Sequence, residues 1–249
     1  MASQNISTAV MNRRSEPSDS LDDFPTPPWA TRAFIHHILR VYIHKTDTVL
    51  EPCCNRGYMA NPLREYFDDV FCSDVEDYGY EHMDAKCDFL FPDQLEAHYP
   101  KRANFVFANP PFKCIDEFIY RALELASCGV FIFARTSLLE GCERYHRLYR
   151  DNPPKIFAQY AERVILHKGR LLDPNDTYWH IDPDPQKTGY RRPSSATSYA
   201  WFGWGDRLPE MRPHWIPPCR KEFERGGDYP GNPKAPVDLV GTMFEGLAN

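Results

Sequence analysis

The run Asn104-Phe-Val-Phe-Ala-Asn-Pro-Pro-Phe112 places an asparagine, two prolines and an aromatic directly after an apolar, strand-like segment. These residue types suit methylation of an exocyclic amino group. An amine conjugated to an aromatic ring is a poor nucleophile, because its lone pair is delocalised into the ring. Two acceptors, the Asn109 side-chain oxygen and the Pro110 carbonyl, would hold both amino hydrogens. The nitrogen is then pushed toward sp³ geometry and its lone pair is exposed. Proline suits the second acceptor, since it lacks an N–H and its fixed φ aims the carbonyl rigidly. Pro111 completes the motif, and Phe112 supplies an aromatic floor for a base turned out of its stack. Neither a general base nor a metal is required, because the proton can leave after transfer. Read alone, the motif would be a proline-rich turn. Its place at the end of a sheet strand is where open α/β sheets put ligands.

The elements that must position this motif alternate between strand and helix. Strands are expected at Thr48 to Glu51, Val70 to Asp74, Asn104 to Ala108 and Gly129 to Arg135. The last is a continuous apolar run, as in the middle of a parallel sheet. Helices are expected at Gly57 to Phe67, Ile115 to Ser127 and Cys142 to Tyr149. Two later strands, Ile156 to His167 and Thr197 to Trp204, flank a long polar loop. This order predicts an α/β fold: an open, mostly parallel sheet with helices on both faces. Residues 1–21 read as disordered. The ordered part is expected to be 22–205, and the seven prolines from 206 onward predict an extended, loosely draped tail over 206–249.

Asn-Pro-Pro-Phe resembles the signature of S-adenosylmethionine-dependent amino-methyltransferases. The resemblance covers about 22–205 and is nearest to small phage- or prophage-type DNA N6-adenine methyltransferases. It implies a class I, Rossmann-like methyltransferase fold with a seven-stranded sheet whose last strand is antiparallel. Further segments match in the family's order. Asp23-Phe-Pro-Thr-Pro-Pro-Trp-Ala-Thr-Arg32 reads as a helix start, with Thr26 as cap and Pro27 in the first helical position. The resemblance implies that Thr26 and Pro27 hold the carboxylate of the cofactor's methionine part. Val49-Leu-Glu-Pro-Cys-Cys-Asn-Arg-Gly-Tyr-Met-Ala60 is similar to the loop that wraps that part. There Glu51 would meet the amino group, Cys53 would be a further contact, and Gly57 would allow close backbone approach. Asn55 stands where the family usually has glycine. Phe71-Cys-Ser-Asp74 implies a ribose contact by Asp74, with Asp77 as an alternative and Tyr78 over the adenine. Cys87-Asp-Phe-Leu90 implies that Asp88 accepts from the adenine amino group while Phe89 or Leu90 packs on its ring. As isolated acids, each would more often be a solvated surface residue. Ala134-Arg-Thr-Ser-Leu-Leu-Glu-Gly141 and Ala196-Thr-Ser-Tyr-Ala-Trp-Phe-Gly-Trp204 also match.

Composition bounds the rest. The chain has 249 residues, 23 prolines and a net charge of −6, which argues against a histone-like protein binding nucleic acid by bulk charge. The acids cluster early: residues 61–100 hold eleven acids and two bases, whereas 135–225 hold sixteen Lys/Arg and twelve acids. Arg144, Arg147 and Arg150, and Arg170, Lys187, Arg191 and Arg192 in the polar loop, are candidate phosphate contacts; solvated helix faces and a flexible surface loop would read the same way. The eight cysteines form no Cys-x-x-Cys pair and the nine histidines show no zinc-ligand spacing, so no metal is expected. Buried thiols suggest a reducing compartment. The polar start and the short apolar runs predict a cytoplasmic protein without a membrane span.

The expected activity is methyl transfer from S-adenosylmethionine, leaving S-adenosylhomocysteine, to adenine N6 in DNA. Cytosine N4, RNA and a protein glutamine remain open as acceptors, and so does a non-catalytic binding protein. The short region after the motif suggests that a homodimer or a partner supplies target recognition.

Overall fold

The structure is a computed structural model that describes residues 22–99, 101–208 and 212–236. The expected disorder of 1–21 lies outside the described residues, as does the end of the tail. Eight strands form the main sheet: β1 (Thr48–Glu51), β2 (Asp69–Asp74), β3 (Ala85–Lys86), β4 (Ala103–Ala108), β5 (Ala126–Arg135), β6 (Ile156–Tyr160), β9 (Tyr199–Trp204) and β10 (Arg212–Ile216). Between β6 and β9, β7 (Tyr178–His180) and β8 (Gly189–Arg191) form a separate antiparallel ribbon. The sheet order is β10-β6-β9-β5-β4-β1-β2-β3. All neighbours are parallel except that β9 runs antiparallel to both β5 and β6.

Alternation along the central strands sorts side chains onto two faces. Phe105 and Phe107 of β4, Phe131 and Phe133 of β5 and Trp201 of β9 belong to one core. Val106, Ala108, Val130, Ile132, Ala200 and Phe202 belong to the other. The first face is an aromatic layer in which Phe34 stacks on Trp201 with centroids 4.5 Å apart. It is covered by α1 (Pro28–Phe34), which continues as a π-turn over Ile35–Leu39, and by α2 (Ala60–Arg64). The second face is covered by α4 (Ile115–Leu125), whose Ile115, Phe118, Ile119, Ala122 and Leu125 are buried at helical spacing. Leu95 of α3 (Pro92–His98) joins it.

Two expectations are corrected. The sheet has eight strands rather than seven, and the chain after 205 is not loosely draped. β10 adds to the sheet edge in parallel register with β6. Its Pro213 is tolerated because an edge strand needs to pair on one side only. Beyond it, α6 (Arg220–Phe223) packs on α1, and Ile216, Cys219 and Phe223 are buried in the aromatic core. Two helices are also shorter than expected. The chain over 57–67 is regular helix only at α2, and 142–149 is a short α5 (Cys142–Arg144) followed by a π-turn at Tyr145–Tyr149. No helix among the described residues is long and apolar enough to cross a membrane.

Candidate active site

A cleft of about 870 Å³, including its open mouth, lies at the carboxyl ends of β1, β2 and β4. Thr26, Glu51, Cys53, Asp74, Asp88, Phe89, Asn109 and Pro111 all line it, from five separate stretches of chain. Pro27, Gly57, Pro110 and Phe112 do not.

Glu51 ends β1 and is 1% exposed. Its Oε2 has no hydrogen-bond partner. Burial first, then the negative charge of Asp74, pushes its carboxyl up to about 8, against a smaller opposing pull from Arg64. A buried carboxyl with an orphaned oxygen, facing a cleft, has an unused acceptor to offer a group in that cleft. Asp74, at the end of β2, is 7% exposed, and burial raises its carboxyl too. Its Oδ2 accepts from the Asn55 backbone N–H at 2.9 Å and its Oδ1 from that of Glu76 at 3.1 Å. Backbone N–H groups thus fix the carboxylate at the edge of the cleft.

Asn55 answers the departure from the family's glycine. Its φ is +49°, so the left-handed backbone that a glycine would supply is present. The side chain adds what glycine cannot: Nδ2 donates to Asp23 Oδ1 at 2.8 Å, and Oδ1 accepts from the Arg56 N–H at 2.9 Å. Arg56 also pairs with Asp23 at 3.1 Å and lies over the Tyr78 ring. Gly57 has a different reason from the one expected. At φ +78°, an added Cβ would stand 2.2 Å from the Tyr80 ring, so this glycine makes room for Tyr80 rather than for a ligand.

The helix start is likewise corrected. Pro28, not Pro27, takes the first helical position, and Thr26 makes no cap bond. Thr26 is 3% exposed, and its hydroxyl instead accepts from Asn109 Nδ2 at 3.0 Å. The second Nδ2 hydrogen goes to the Phe24 carbonyl at 2.8 Å. A carbonyl can only accept, so this contact fixes which end of the amide is nitrogen. Both amide hydrogens are consumed, and Oδ1 is the side chain's remaining group, an acceptor. The Phe112 N–H donates to Asp22 Oδ2 at 2.9 Å. Residues 22–26 thus strap the motif to the loop after β1, through Asp22, Phe24 and Thr26 on one side and Asp23 on the other. The sequence motifs do not reveal this strap; its signal is the pair of acids at 22 and 23.

Asp88 Oδ1 accepts from the Leu90 N–H at 2.9 Å. Phe89 lines the cleft but is packed on Phe118, with centroids 5.0 Å apart, so Leu90 is the more accessible of the two. Tyr78 lines the mouth; Asp77 does not. Burial pushes the Cys53 thiol up and Cys114 up to about 11, so neither is a thiolate nucleophile near neutral pH. No group of His, Cys, Asp and Glu among the described residues could hold a metal ion.

The expected phosphate contacts divide. Arg144 is bound to Asp116 at 2.6 Å and to the Leu138 and Glu140 carbonyls, which makes it a structural tie. Arg147 meets Glu143 at 3.5 Å and Arg150 meets Asp151 at 2.8 Å. Lys187 and Arg191 pair with Asp184 and Asp182 in the β7–β8 ribbon. Arg170 and Arg192 are exposed.

Strand order, the antiparallel β9 and a cleft at the carboxyl ends define a class I methyltransferase fold. One solved structure agrees at the level of the fold. A type I restriction-modification methyltransferase subunit from Streptococcus thermophilus aligns with a TM-score of 0.50 at 11% identity, over 93% of this chain and 55% of that one. A candidate RNA methyltransferase from Pyrococcus horikoshii aligns at 0.43 and 13%, over 77% and 90%. Magnesium protoporphyrin IX methyltransferase from Synechocystis, with bound S-adenosylmethionine, aligns at 0.42 and 10%, over 71% and 77%. The chain therefore spans about half the length of the type I subunit. No protein-family model and no curated protein matches the chain.

Proposed function

We propose that this protein transfers a methyl group from S-adenosylmethionine to the N6 amino group of adenine in DNA. The observation that carries this reading is the anchoring of Asn109. With Nδ2 held by the Phe24 carbonyl and the Thr26 hydroxyl, its Oδ1 is preset to accept from an exocyclic amine. Preset acceptors need no reorganisation as the reaction proceeds.

The residues at the cleft fit the cofactor. Glu51 would pair with its amino group, Asp74 with the ribose hydroxyls, and Asp88 with the adenine amino group, beside Leu90. Thr26 can do two things at once: its oxygen accepts from Asn109 while its own proton is offered to the cofactor's carboxylate. Bound S-adenosylmethionine supplies an electrophilic methyl group. Asn109 Oδ1 and the Pro110 carbonyl hold the two amino hydrogens, so that the nitrogen lone pair points at that carbon. The cofactor's sulfur would keep the electron pair of the C–S bond when the nitrogen takes the methyl group. The extra proton on nitrogen then leaves to water. Pro111 and Phe112 would keep the base in its place.

DNA as substrate draws support from the fold likeness to the type I subunit, with target recognition supplied by a second copy or a partner. The test is transfer of labelled methyl to unmodified DNA, followed by hydrolysis to nucleosides. N6-methyladenine is expected. Asn109→Ala is expected to lower turnover by about 10²–10³-fold, the usual effect of removing one preset polar group at a reacting centre. Its cofactor binding should persist. Label in cytosine, in RNA only, or in no nucleic acid by a cofactor-bound protein would overturn the reading.

A further inference from the structure

Arg135 ends β5, beside the β4 strand that leads into Asn109. Its guanidinium lies 3.9 Å from the centroid of the Phe112 ring, which is stacking distance. The Phe112 face is thus already covered in the free protein by a flat, delocalised cation. Phe24 meets the same ring at 5.5 Å, tilted by 40°. Two further facts set Arg135 apart from Arg144, Arg147 and Arg150. Arg144, Arg147 and Arg150 each have a carboxylate partner, whereas Arg135 has none among the described residues. Its Nε is buried and makes no hydrogen bond. A buried, charged donor without an acceptor is costly, so the arrangement favours any anion that can meet it.

We propose that Arg135 holds the place of the target base on Phe112, and that the arriving nucleotide turns it outward to bind the phosphate beside that base. This rests on Phe112 being the floor under the target base. Guanidinium is suited to both positions: its plane stacks on an aromatic face, and its fork of N–H groups fits a phosphate. Lysine meets a phosphate as a point charge but has no plane to stack on the ring. One side chain would therefore keep the slot closed and dry when empty and reward the correctly placed nucleotide with a charge contact.

The probes are fluorescein-labelled single-stranded oligodeoxyadenylate of twelve nucleotides and free 2′-deoxyadenosine, each with S-adenosylhomocysteine-saturated protein. Arg135→Ala is expected to weaken the oligonucleotide by about tenfold. It should also reduce the log K against log [salt] slope by about 0.7, the value of one phosphate contact on a single strand. The same variant is expected to bind deoxyadenosine several-fold more tightly, since nothing need be displaced. Arg135→Lys should restore the salt slope and keep the gain for deoxyadenosine. A merely structural residue would weaken both probes together. Unchanged salt slope, or weaker deoxyadenosine binding, in a variant that still binds S-adenosylhomocysteine overturns the assignment of Arg135 alone. If the wild-type protein binds S-adenosylhomocysteine but neither probe, the nucleic-acid reading fails, and this proposal fails with it.

Discussion

Asn109 and Glu51 are the two side chains on whose surroundings the proposed chemistry rests. Thr26 anchors the first. Replacing it by valine removes one acceptor for the Asn109 amide and lets the side chain turn. Turnover of Thr26→Val is expected to fall by about tenfold, the equivalent of one hydrogen bond of roughly 1.5 kcal/mol, whereas Thr26→Ser should retain it. Steady-state rates at saturating cofactor separate this loss from weaker cofactor binding. Glu51 makes a pH prediction of definite sign. Its carboxyl titrates at about 8 in the folded protein against an ordinary 4.5. The folded state therefore binds more protons than the unfolded one between these values. The stability linked to this group is fully present below about pH 4.5 and is lost as pH rises through 8. Asp74, also raised by burial, adds in the same direction. Glu51→Gln should raise the melting temperature at pH 8 more than at pH 5, by up to a few kcal/mol in free energy. The same substitution should weaken S-adenosylmethionine by about ten- to a hundredfold, because a charge-assisted contact is lost. Calorimetry of the wild type at pH 7 adds an independent check. A cationic ligand that ionises Glu51 releases a proton, so the apparent binding enthalpy should vary with the buffer's ionisation heat.

At the scale of elements, the loop after β1 is where sequence and structure part most usefully. Asn55 breaks the family's glycine pattern, yet it adopts the same left-handed backbone and ties the loop to Asp23. Asn55→Ala is expected to cost about 1–2 kcal/mol, since alanine has the steric penalty without the compensating bonds. Asn55→Gly should cost less. Urea denaturation of the two variants orders them; an Asn55→Gly protein as stable as the wild type would show that the Asp23 tie contributes nothing. The strands of the central sheet were legible because long apolar runs at Asn104 to Ala108 and Gly129 to Arg135 can satisfy little else. The amphipathic spacing of α4 was legible for the same reason. β3 has two residues and no periodicity to read. α3 carries a proline at its first position, an acid in its first turn and a histidine in its last, but only Leu95 is buried, so its apolar pattern is almost absent. The strap over 22–26 has no regular structure, and its function lies in contacts up to 90 residues away along the chain. Local spacing cannot reveal such contacts.

The whole molecule depends on its last described segment, which composition disguised. Seven prolines after 205 resemble a linker, but the chain there adds the edge strand β10 beside β6 and packs on α1. Arg32 of α1 is 4% exposed, and its guanidinium meets Asp228 at 2.7 Å, Glu65 at 2.9 Å and the Phe223 carbonyl at 3.1 Å. Burial alone would lower its affinity for a proton, but these bonds outweigh it and hold the charge firmly. Arg225 adds a second contact to Glu65 at 2.8 Å. One buried cation thus joins α1, the end of α2 and the segment after α6, and α1 in turn follows the strap that anchors Asn109. Removing one partner of a buried pair leaves charge without compensation, which typically costs about 3–5 kcal/mol. Asp228→Ala should sit near the lower end, because Glu65 and the carbonyl remain, and its urea midpoint should fall accordingly. Arg32→Met together with Asp228→Leu removes both charges and should recover most of that loss. Truncation after 205 is a harsher change. It exposes the β6 edge, uncovers the aromatic core where Ile216 and Phe223 were seated, and leaves Arg32 with one carboxylate. Unpaired sheet edges join other chains, so the shortened protein is expected to associate or precipitate. A stable, monodisperse 1–205 fragment in light scattering, still binding S-adenosylmethionine, would show instead that the folded unit ends where its sequence pattern does.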